Sequence, residues 1–353
     1  MYFAPSQPGQ FTFDFARRTR PAAAGYVQRD EAIMGTAIHV ELWCEDRRQG
    51  EAAAAAVMDE MHRIDRAMSP HKPTSELCRI NREAARQPVP LSEEMYALIE
   101  QALAFSRLTQ GAFDISYAAV GQLYDYRQRV QPSAAALERA RALVGWQHLH
   151  LDARSRTLRF GREGMRIDLG GFAKGHAVDR AALLLRRRGI SSAHVSAGGD
   201  SRVIGSRVVG NPVTGNSTTA KDRRPWSVAI RDPRRANAVV AVLPLEDCSV
   251  STSGDYERYF DDEGGERVHH LLDPATGRSP QHVHSVTILA ADGLRCEALS
   301  KAVFVLGVQR GLALVEAQSS VDAVVVDADG VLHASSNLLH GLPGFHDATA
   351  AAC

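Results

Sequence analysis

The spacing of apolar residues predicts strands and amphipathic helices from about residue 33 onward. Ile38, Val40 and Leu42 alternate with polar or small neighbours, as in a half-buried strand. The apolar residues that follow at helical steps of four, three and four are Val57, Met61, Ile64 and Met68. The ordered part of the chain is therefore expected to begin with a strand and a helix.

Capping residues predict two more helices. One follows Ser92, a good N-cap, and ends before Gly111. Another is expected from about Ala177 to Arg188, with Gly189 as its cap. Strand-like runs recur at residues 194–196, 226–230, 239–243, 286–289 and 321–326. This mixture favours an α+β or α/β fold over a sandwich or a bundle.

Three segments are polar and predict irregular structure. They are a loose N-terminal arm (1–28), an inserted loop (206–225) and a disordered tail (341–353). The arm contains Arg17-Arg18, but Thr19-Arg20-Pro21-Ala22 follows in place of an apolar signal segment. We therefore expect a cytoplasmic protein. No run approaches the roughly 18 apolar residues of a membrane span, so none is expected.

Charge and cysteine content narrow the class of function. The chain has 41 basic and 41 acidic residues, so no net field favours nucleic acid or a membrane surface as a partner. Its five cysteines are widely spaced, which argues against a disulfide scaffold or a zinc site. The lysines are few: Lys72, Lys174, Lys221 and Lys301. A small-molecule or protein partner is the expectation.

The segment from Asp168 to Asp179 is the most informative motif. A short apolar strand runs through Gly170-Gly171 into a helical pattern, and such a junction lets backbone N–H groups approach a phosphate. An anionic ligand is therefore expected. No Walker A loop, His-Glu-x-x-His pair or Gly-x-Ser-x-Gly elbow is present.

Several further polar patches occur at turns, and each alone is typical of an ordinary turn. In order they are Met34-Gly35-Thr36, residues 69–81, residues 111–116, the junction, residues 197–200, 231–233, 252–260 and 270–277, and Glu297-Ala298-Leu299-Ser300. Together they resemble the ApbE-like FAD:protein FMN transferase family, across roughly residues 30–335.

The resemblance implies a fold and a reaction. The fold would be the two-lobed, T-fold-related α+β architecture over residues 29–340, with FAD in the cleft between the lobes. The enzyme would split FAD, join FMN to a Thr or Ser hydroxyl of a target flavoprotein, and release AMP. Such a reaction needs a base for the hydroxyl proton and cations for the diphosphate.

The resemblance also implies site residues. His270 would be the base, because its ordinary pKa lies near neutrality; the alternative is a histidine that only bonds the next turn. Lys174 would contact FAD, or would be a surface lysine at a helix start. The implied FAD contacts are Met34, Ala112, Phe113, Asp114, Asp168, Gly171, Lys174, Asp255 and His270.

The metal site departs from the family pattern. A Mg²⁺ ion would be held there by the carbonyl of Ala173, an aspartate and a threonine, but this chain has Glu297 and Lys301 at the last two positions. Glutamate can ligate Mg²⁺, whereas lysine has no acceptor. Either the Lys301 ammonium replaces the metal's charge, or the site has decayed to an ion pair four residues apart on a helix.

Two other hypotheses remain open at this point. The chain could bind FAD without transferring FMN, as a store or partner subunit. It could also hydrolyse FAD to FMN and AMP, with water replacing the acceptor hydroxyl. His71, at a position where relatives often carry an aromatic residue, offers less surface for stacking on FAD.

Overall fold

An eight-stranded antiparallel sheet is the centre of the fold. The computed structural model describes residues 24–209, 223–235 and 238–341. The strands are β1 (Gly25–Ile33), β2 (Thr36–Cys44), β3 (Val89–Pro90), β4 (Leu149–Asp152), β5 (Thr157–Phe160), β6 (Ala193–Ala197), β7 (Asp200–Ile204), β8 (Arg207–Val208), β9 (Arg223–Arg224), β10 (Trp226–Arg231), β11 (Val239–Leu245), β12 (Ser249–Gly254), β13 (Tyr259–Asp261), β14 (Arg267–His269), β15 (Val283–Ala290), β16 (Asp322–Asp327) and β17 (Leu332–Ala334). The central sheet has the order β1-β2-β6-β7-β12-β15-β16-β17.

The described residues form eight α-helices. They are α1 (Arg47–Met68), α2 (Glu76–Glu83), α3 (Glu93–Leu108), α4 (Ala118–Gly121), α5 (Ala134–Arg141), α6 (Ala173–Arg187), α7 (Gly293–Glu316) and α8 (Ser336–Gly341). Helices α1 and α6 cover β1, β2 and β6, while α7 covers β12, β15 and β16. The β10–β11 hairpin packs on the opposite face through Trp226, Ile230 and Leu243. The α+β class is thus confirmed.

Helix α7 is long and apolar enough to cross a membrane by length and composition, and it is the one such helix in the described part of the chain. It is nevertheless a core helix here, because Phe304 and Leu299 are fully buried against the sheet. Its course bends at Gly307, whose φ of 77° is not helical.

A smaller group of elements lies beside the main sheet. It contains α2 to α5 and a three-stranded sheet of order β3-β5-β4. Apolar residues of this group, such as Leu98 and Phe160, join the same core as α1 and α6. The smaller group and the main sheet therefore share one continuous core.

Most predicted elements are present, with different bounds. The predicted strand at 38–42 and the helix after it are β2 and α1. The Ser92 side chain caps α3, because it accepts a hydrogen bond from the amide of Met95. The predicted start of α6 at Ala177 is wrong, because α6 begins at Ala173. Gly175 lies in the first turn of α6, and because glycine disfavours helices, the predicted helix did not extend back to Ala173.

The predicted irregular segments also need correction. The arm was expected to reach residue 28, yet β1 begins at Gly25 and pairs with β2. The inserted loop begins and ends in the short β8–β9 ladder, and α8 reaches Gly341. The rest of these predictions, residues 1–23, 210–222 and 342–353, lies outside the described residues.

Helices α6 and α7 cross with their backbones in contact. A Cβ added to Gly175 would lie 2.3 Å from the carbonyl oxygen of Gly293, and one added to Gly293 would lie 2.8 Å from the carbonyl oxygen of Gly175. Only glycine allows this approach. The crossing brings the first turns of α6 and α7 together.

Gly175→Ala should therefore destabilise the fold by about 1–3 kcal/mol, because the added methyl overlaps backbone atoms that cannot move aside. Chemical denaturation measures the loss. Gly25→Ala is the matched control, since a Cβ there meets nothing within 4 Å. Equal unfolding midpoints for the two variants would contradict the close crossing.

Candidate functional site

The start of α6 holds a carboxylate from α7. The N-cap of α6, Phe172, provides no side-chain hydrogen bond to the helix. Instead, the amide of Gly175 donates to Oε2 of Glu297 at 2.7 Å. The segment around Gly170-Gly171, called the glycine junction below, predicted an anion at this helix start. The anion found there is the protein's own Glu297 carboxylate, which occupies one of the helix amides.

Lys174 bridges two buried carboxylates. Its ammonium lies 2.7 Å from Oδ2 of Asp200, at the start of β7, and also contacts Oε1 of Glu297. The side chains of Asp200 and Glu297 are 3% and 0% exposed. Ser251 donates to the other Asp200 oxygen at 2.5 Å. Lys174 is therefore an internal ion-pairing group and not a surface lysine.

Lys301 is the second ammonium of the cluster. Its Nζ lies 3.9 Å from Oε1 of Glu297 and 3.4 Å from Oγ of Ser300, so its contacts are longer than those of Lys174. The side-chain stem runs beside Gly171, where an added Cβ would be 3.5 Å from Cε of Lys301. The predicted pairing of Glu297 with Lys301 is present, but Lys174 is the closer partner.

Burial and mutual charge set the protonation of this cluster. The two carboxylates outweigh burial and raise the pKa of Lys174 above its usual value. Burial lowers the pKa of Lys301, and the neighbouring Lys174 charge adds to that effect. Burial and Asp200 raise the pKa of Glu297, against the opposing effect of Lys174. Lys174 is thus held firmly in its charged form.

His270 follows β14 and carries a neutral imidazole. Burial, with the charges of Lys301 and Arg258, lowers the pKa of His270 to about 3. Its backbone amide donates to the carbonyl of Arg258 at 3.1 Å. Its Nδ1 is buried and has no hydrogen-bond partner within the described ranges. The ring is therefore neutral with an unused Nδ1, and burial and the nearby positive charges disfavour its protonation in the free protein.

Residues 112–116 pack against the core side of the glycine junction. Phe113 is 5% exposed and packs against Phe172, beside the partly buried Ala112. Asp114 accepts hydrogen bonds from the amides of Ser116 and Trp146, both at 2.8 Å. These residues position the backbone that precedes and caps α6.

Asp168 is linked to that patch through its backbone. Its amide donates to the carbonyl of Ile115 at 2.9 Å, and its Oδ1 accepts from the amide of Gly170 at 2.5 Å. Burial raises the pKa of Asp168, while the Gly170 amide and the nearby charges of His71 and Lys174 oppose this. Asp168 therefore lies at the edge of the lysine cluster.

Met34 lies in the turn next to Arg258, and Asp255 pairs with His284. Met34 occupies the β1–β2 turn with a φ of 54°, and the next carbonyl, of Gly35, lies 3.5 Å from the Arg258 guanidinium. Asp255 Oδ2 accepts from His284 at 2.8 Å, while its Oδ1 is buried without a partner in the described part of the chain. Their predicted contacts with FAD stay predictions.

The donors around Glu297 do not fit Mg²⁺. Mg²⁺ requires oxygen ligands in near-octahedral geometry. Both oxygens of Glu297 face N–H donors, and Lys301 offers an ammonium where an oxygen ligand is needed. The described residues contain no group of three acidic, histidine or cysteine side chains able to hold a metal. The Ala173 carbonyl would thus lack partners.

Three residues of the site were missing from the sequence prediction. Asp200 lay within a recognised patch at 197–200, but its role as a partner of Lys174 depends on the fold. Arg258 contributes positive charge near His270. Tyr117 lies close enough to Asp168 and Glu297 for their charges, after burial, to raise its pKa. No local spacing indicated any of these roles.

The fold and site together define an α+β protein with a buried cluster of charged side chains where α6, β7 and α7 meet. The sequence profile of the ApbE family matches residues 34–325, and the chain belongs to this family. The FAD:protein FMN transferase of Treponema pallidum is 32% identical over 322 residues, covering 88% of this chain and 87% of that protein. The Escherichia coli K12 protein of the same name is 30% identical, with coverages of 78% and 77%.

Solved structures agree with the family assignment. The ApbE protein of Thermotoga maritima superposes with a TM-score of 0.79 at 31% identity, covering 89% of this chain and 98% of that one. The flavin transferase ApbE of Vibrio cholerae gives a TM-score of 0.77 at 26% identity, with coverages of 90% and 99%. The recognised resemblance and fold are confirmed.

Lys174→Met should lower the free energy of unfolding by about 3–5 kcal/mol, because it leaves two buried carboxylates without their shared partner. Lys72→Met removes a more exposed ion pair with Asp65, so its loss should be about 0–1 kcal/mol. Denaturant titration of both variants compares them. Similar losses would contradict a central role for Lys174.

The His270 imidazole also makes stability depend on pH. Its pKa rises from about 3 in the folded chain to the usual 6.5 on unfolding, so the unfolded state binds more protons between these values. The free energy of unfolding should fall as pH drops below 6.5, by up to about 1.4 kcal/mol per pH unit from this group.

Denaturation from pH 7 to 4 measures this slope. His270→Gln should reduce the slope, whereas the exposed His150→Gln should leave it unchanged. An identical pH profile for His270→Gln and the unmodified chain would show that His270 titrates normally.

Proposed function

We propose that this chain is an FAD:protein FMN transferase, which joins the FMN half of FAD to a Thr or Ser hydroxyl of a target flavoprotein and releases AMP. The observation that carries the proposal is the buried His270 ring, whose Nδ1 has no partner among the described residues and whose backbone amide bonds the carbonyl of Arg258. A proton acceptor next to positive charge is what attack on a diphosphate requires. The relatives that bear this enzyme name support the same activity.

Each step of the reaction balances with the groups present. The acceptor oxygen attacks the phosphorus of the FMN half, and its proton passes to His270. The bond from this phosphorus to the bridging oxygen breaks, and AMP leaves with that oxygen. The low pKa of His270 in the free protein follows partly from Lys301 and Arg258, so a bound diphosphate anion would raise that pKa toward neutrality.

The remaining site residues have supporting roles in this proposal. Met34, Asp168, Gly171 and Asp255 border the space assigned to FAD, together with the backbone at Ala112. Phe113 and Asp114 hold the glycine junction in place from the core. Lys174 fixes the carboxylates around which this space is built.

Mg²⁺ takes no part in the proposed steps, because the groups at Ala173, Glu297 and Lys301 do not fit it.

FAD is the substrate, and the acceptor flavoprotein is the partner. The reaction is proposed to occur in the cytoplasm, as the sequence led us to expect; fractionation of cells with an antibody to this chain would test that location.

Mixing the protein with FAD and a flavoprotein domain that one of the relatives flavinylates tests the proposal. We expect the acceptor to gain the mass of FMN, with one AMP released per FMN attached. His270→Asn should lower the transfer rate by about 100-fold or more, since it removes the proton acceptor, and should leave FAD affinity within about threefold.

Two results would contradict the transferase proposal. AMP release without a mass gain would identify FAD hydrolysis, and FAD binding without either product would identify a binding protein. A His270→Asn variant as fast as the unmodified protein would remove His270 from the proton-transfer step. Mass spectrometry and AMP chromatography distinguish these outcomes.

A further inference from the structure

We infer that Lys301 is a built-in counter-ion for the diphosphate of FAD, and that this chain binds FAD without a divalent cation. The inference rests on the proposed function in taking FAD as the ligand. It concerns the binding step alone, so it can hold or fail separately from FMN transfer.

Both carboxylate oxygens of Glu297 already have partners in α6. Its side chain is fully buried, its Oε2 accepts the Gly175 amide at 2.7 Å, and its Oε1 contacts the Lys174 ammonium. A cation bound by Glu297 would have to displace Lys174 from the protein interior. That exchange would also strip Asp200 of its partner at 2.7 Å.

The net charge of the cluster depends on Lys301. Asp200 and Glu297 contribute two negative charges when ionised, and Lys174 supplies one positive charge between them. Without a second cation the cluster would be anionic and would repel a diphosphate. A protonated Lys301 cancels the negative charge that remains on these three groups, and Arg258 adds positive charge from the side of His270.

The Lys301 ammonium retains unused hydrogen-bond donors. An ammonium has three donors. Its distance of 3.9 Å to Glu297 exceeds a hydrogen bond, and its 3.4 Å contact with Ser300 is long. Ser300 in turn is engaged by Ser253 at 2.8 Å. A decayed site closed by an ion pair would instead place Lys301 at bonding distance from Glu297.

The glycine junction gives the ligand access to this ammonium. The Lys301 side chain passes beside Gly171. A Cβ added to Gly171 would lie 3.5 Å from Cε of Lys301. The Lys301 side chain is 19% exposed, so it is reachable from solvent. The junction and Lys301 together therefore form one anion site, in which the backbone supplies space and the lysine supplies charge.

Flavin fluorescence titration tests the inference without any acceptor protein. The unmodified chain, freed of metal by chelator, should bind FAD with a dissociation constant that changes less than twofold on adding Mg²⁺. Lys301→Met should weaken FAD binding by tenfold or more, while Lys301→Arg should stay within about threefold. Riboflavin, which has no phosphate, should bind all three proteins equally.

A third variant places a hydroxyl at residue 301. Lys301→Thr should bind FAD weakly in chelator and gain little affinity on adding Mg²⁺, because Lys174 still occupies Oε1 of Glu297 and the new hydroxyl alone cannot hold the ion. Elemental analysis of each purified protein reports its bound metal directly.

Several results would overturn the inference. One is a tenfold gain in FAD affinity on adding Mg²⁺ to the unmodified chain, and another is Lys301→Met binding FAD as tightly as the unmodified chain in chelator. A third is the absence of FAD binding altogether, which would mark a decayed site. Loss of FMN transfer with binding behaviour as expected would contradict only the proposed function.

Discussion

The burial of Glu297 is the constraint on which the site depends. A fully buried carboxylate is tolerated only when its charge and lone pairs are satisfied. Lys174 and the Gly175 amide meet that need from the first turn of α6, and Asp200 extends the network to β7. The network joins two helices and the central sheet at one point.

This arrangement depends in turn on a steric feature. Helices α6 and α7 approach closely because glycine occupies both sides of the crossing, at 175 and 293. Asp179 adds a second link, since its oxygens accept the amides of Gly293 and Leu294 at 2.8 and 3.1 Å. The acidic residue at the end of the recognised junction therefore caps α7 and is not part of the anion site.

The sequence predicted local features better than the contacts between distant segments. The four-residue spacing of Glu297 and Lys301 placed them on one helix face, and β2, α1 and α3 followed from periodicity and caps. It did not reveal that Lys174, over 120 positions away, is the closer partner of Glu297. That contact requires the α6–α7 crossing, which no pattern within either helix encodes. Strand β1 was not predicted, because its exposed edge carries Arg29 and Asp30 among few apolar residues.

A crystal of the protein grown with FAD and Mn²⁺, with anomalous data collected for manganese, tests the central claim most directly. We expect the FAD diphosphate against the Lys301 ammonium, Lys174 still between Asp200 and Glu297, and no anomalous peak beside Glu297. A manganese peak coordinated by Glu297 and the Ala173 carbonyl, with Lys174 displaced, would contradict it.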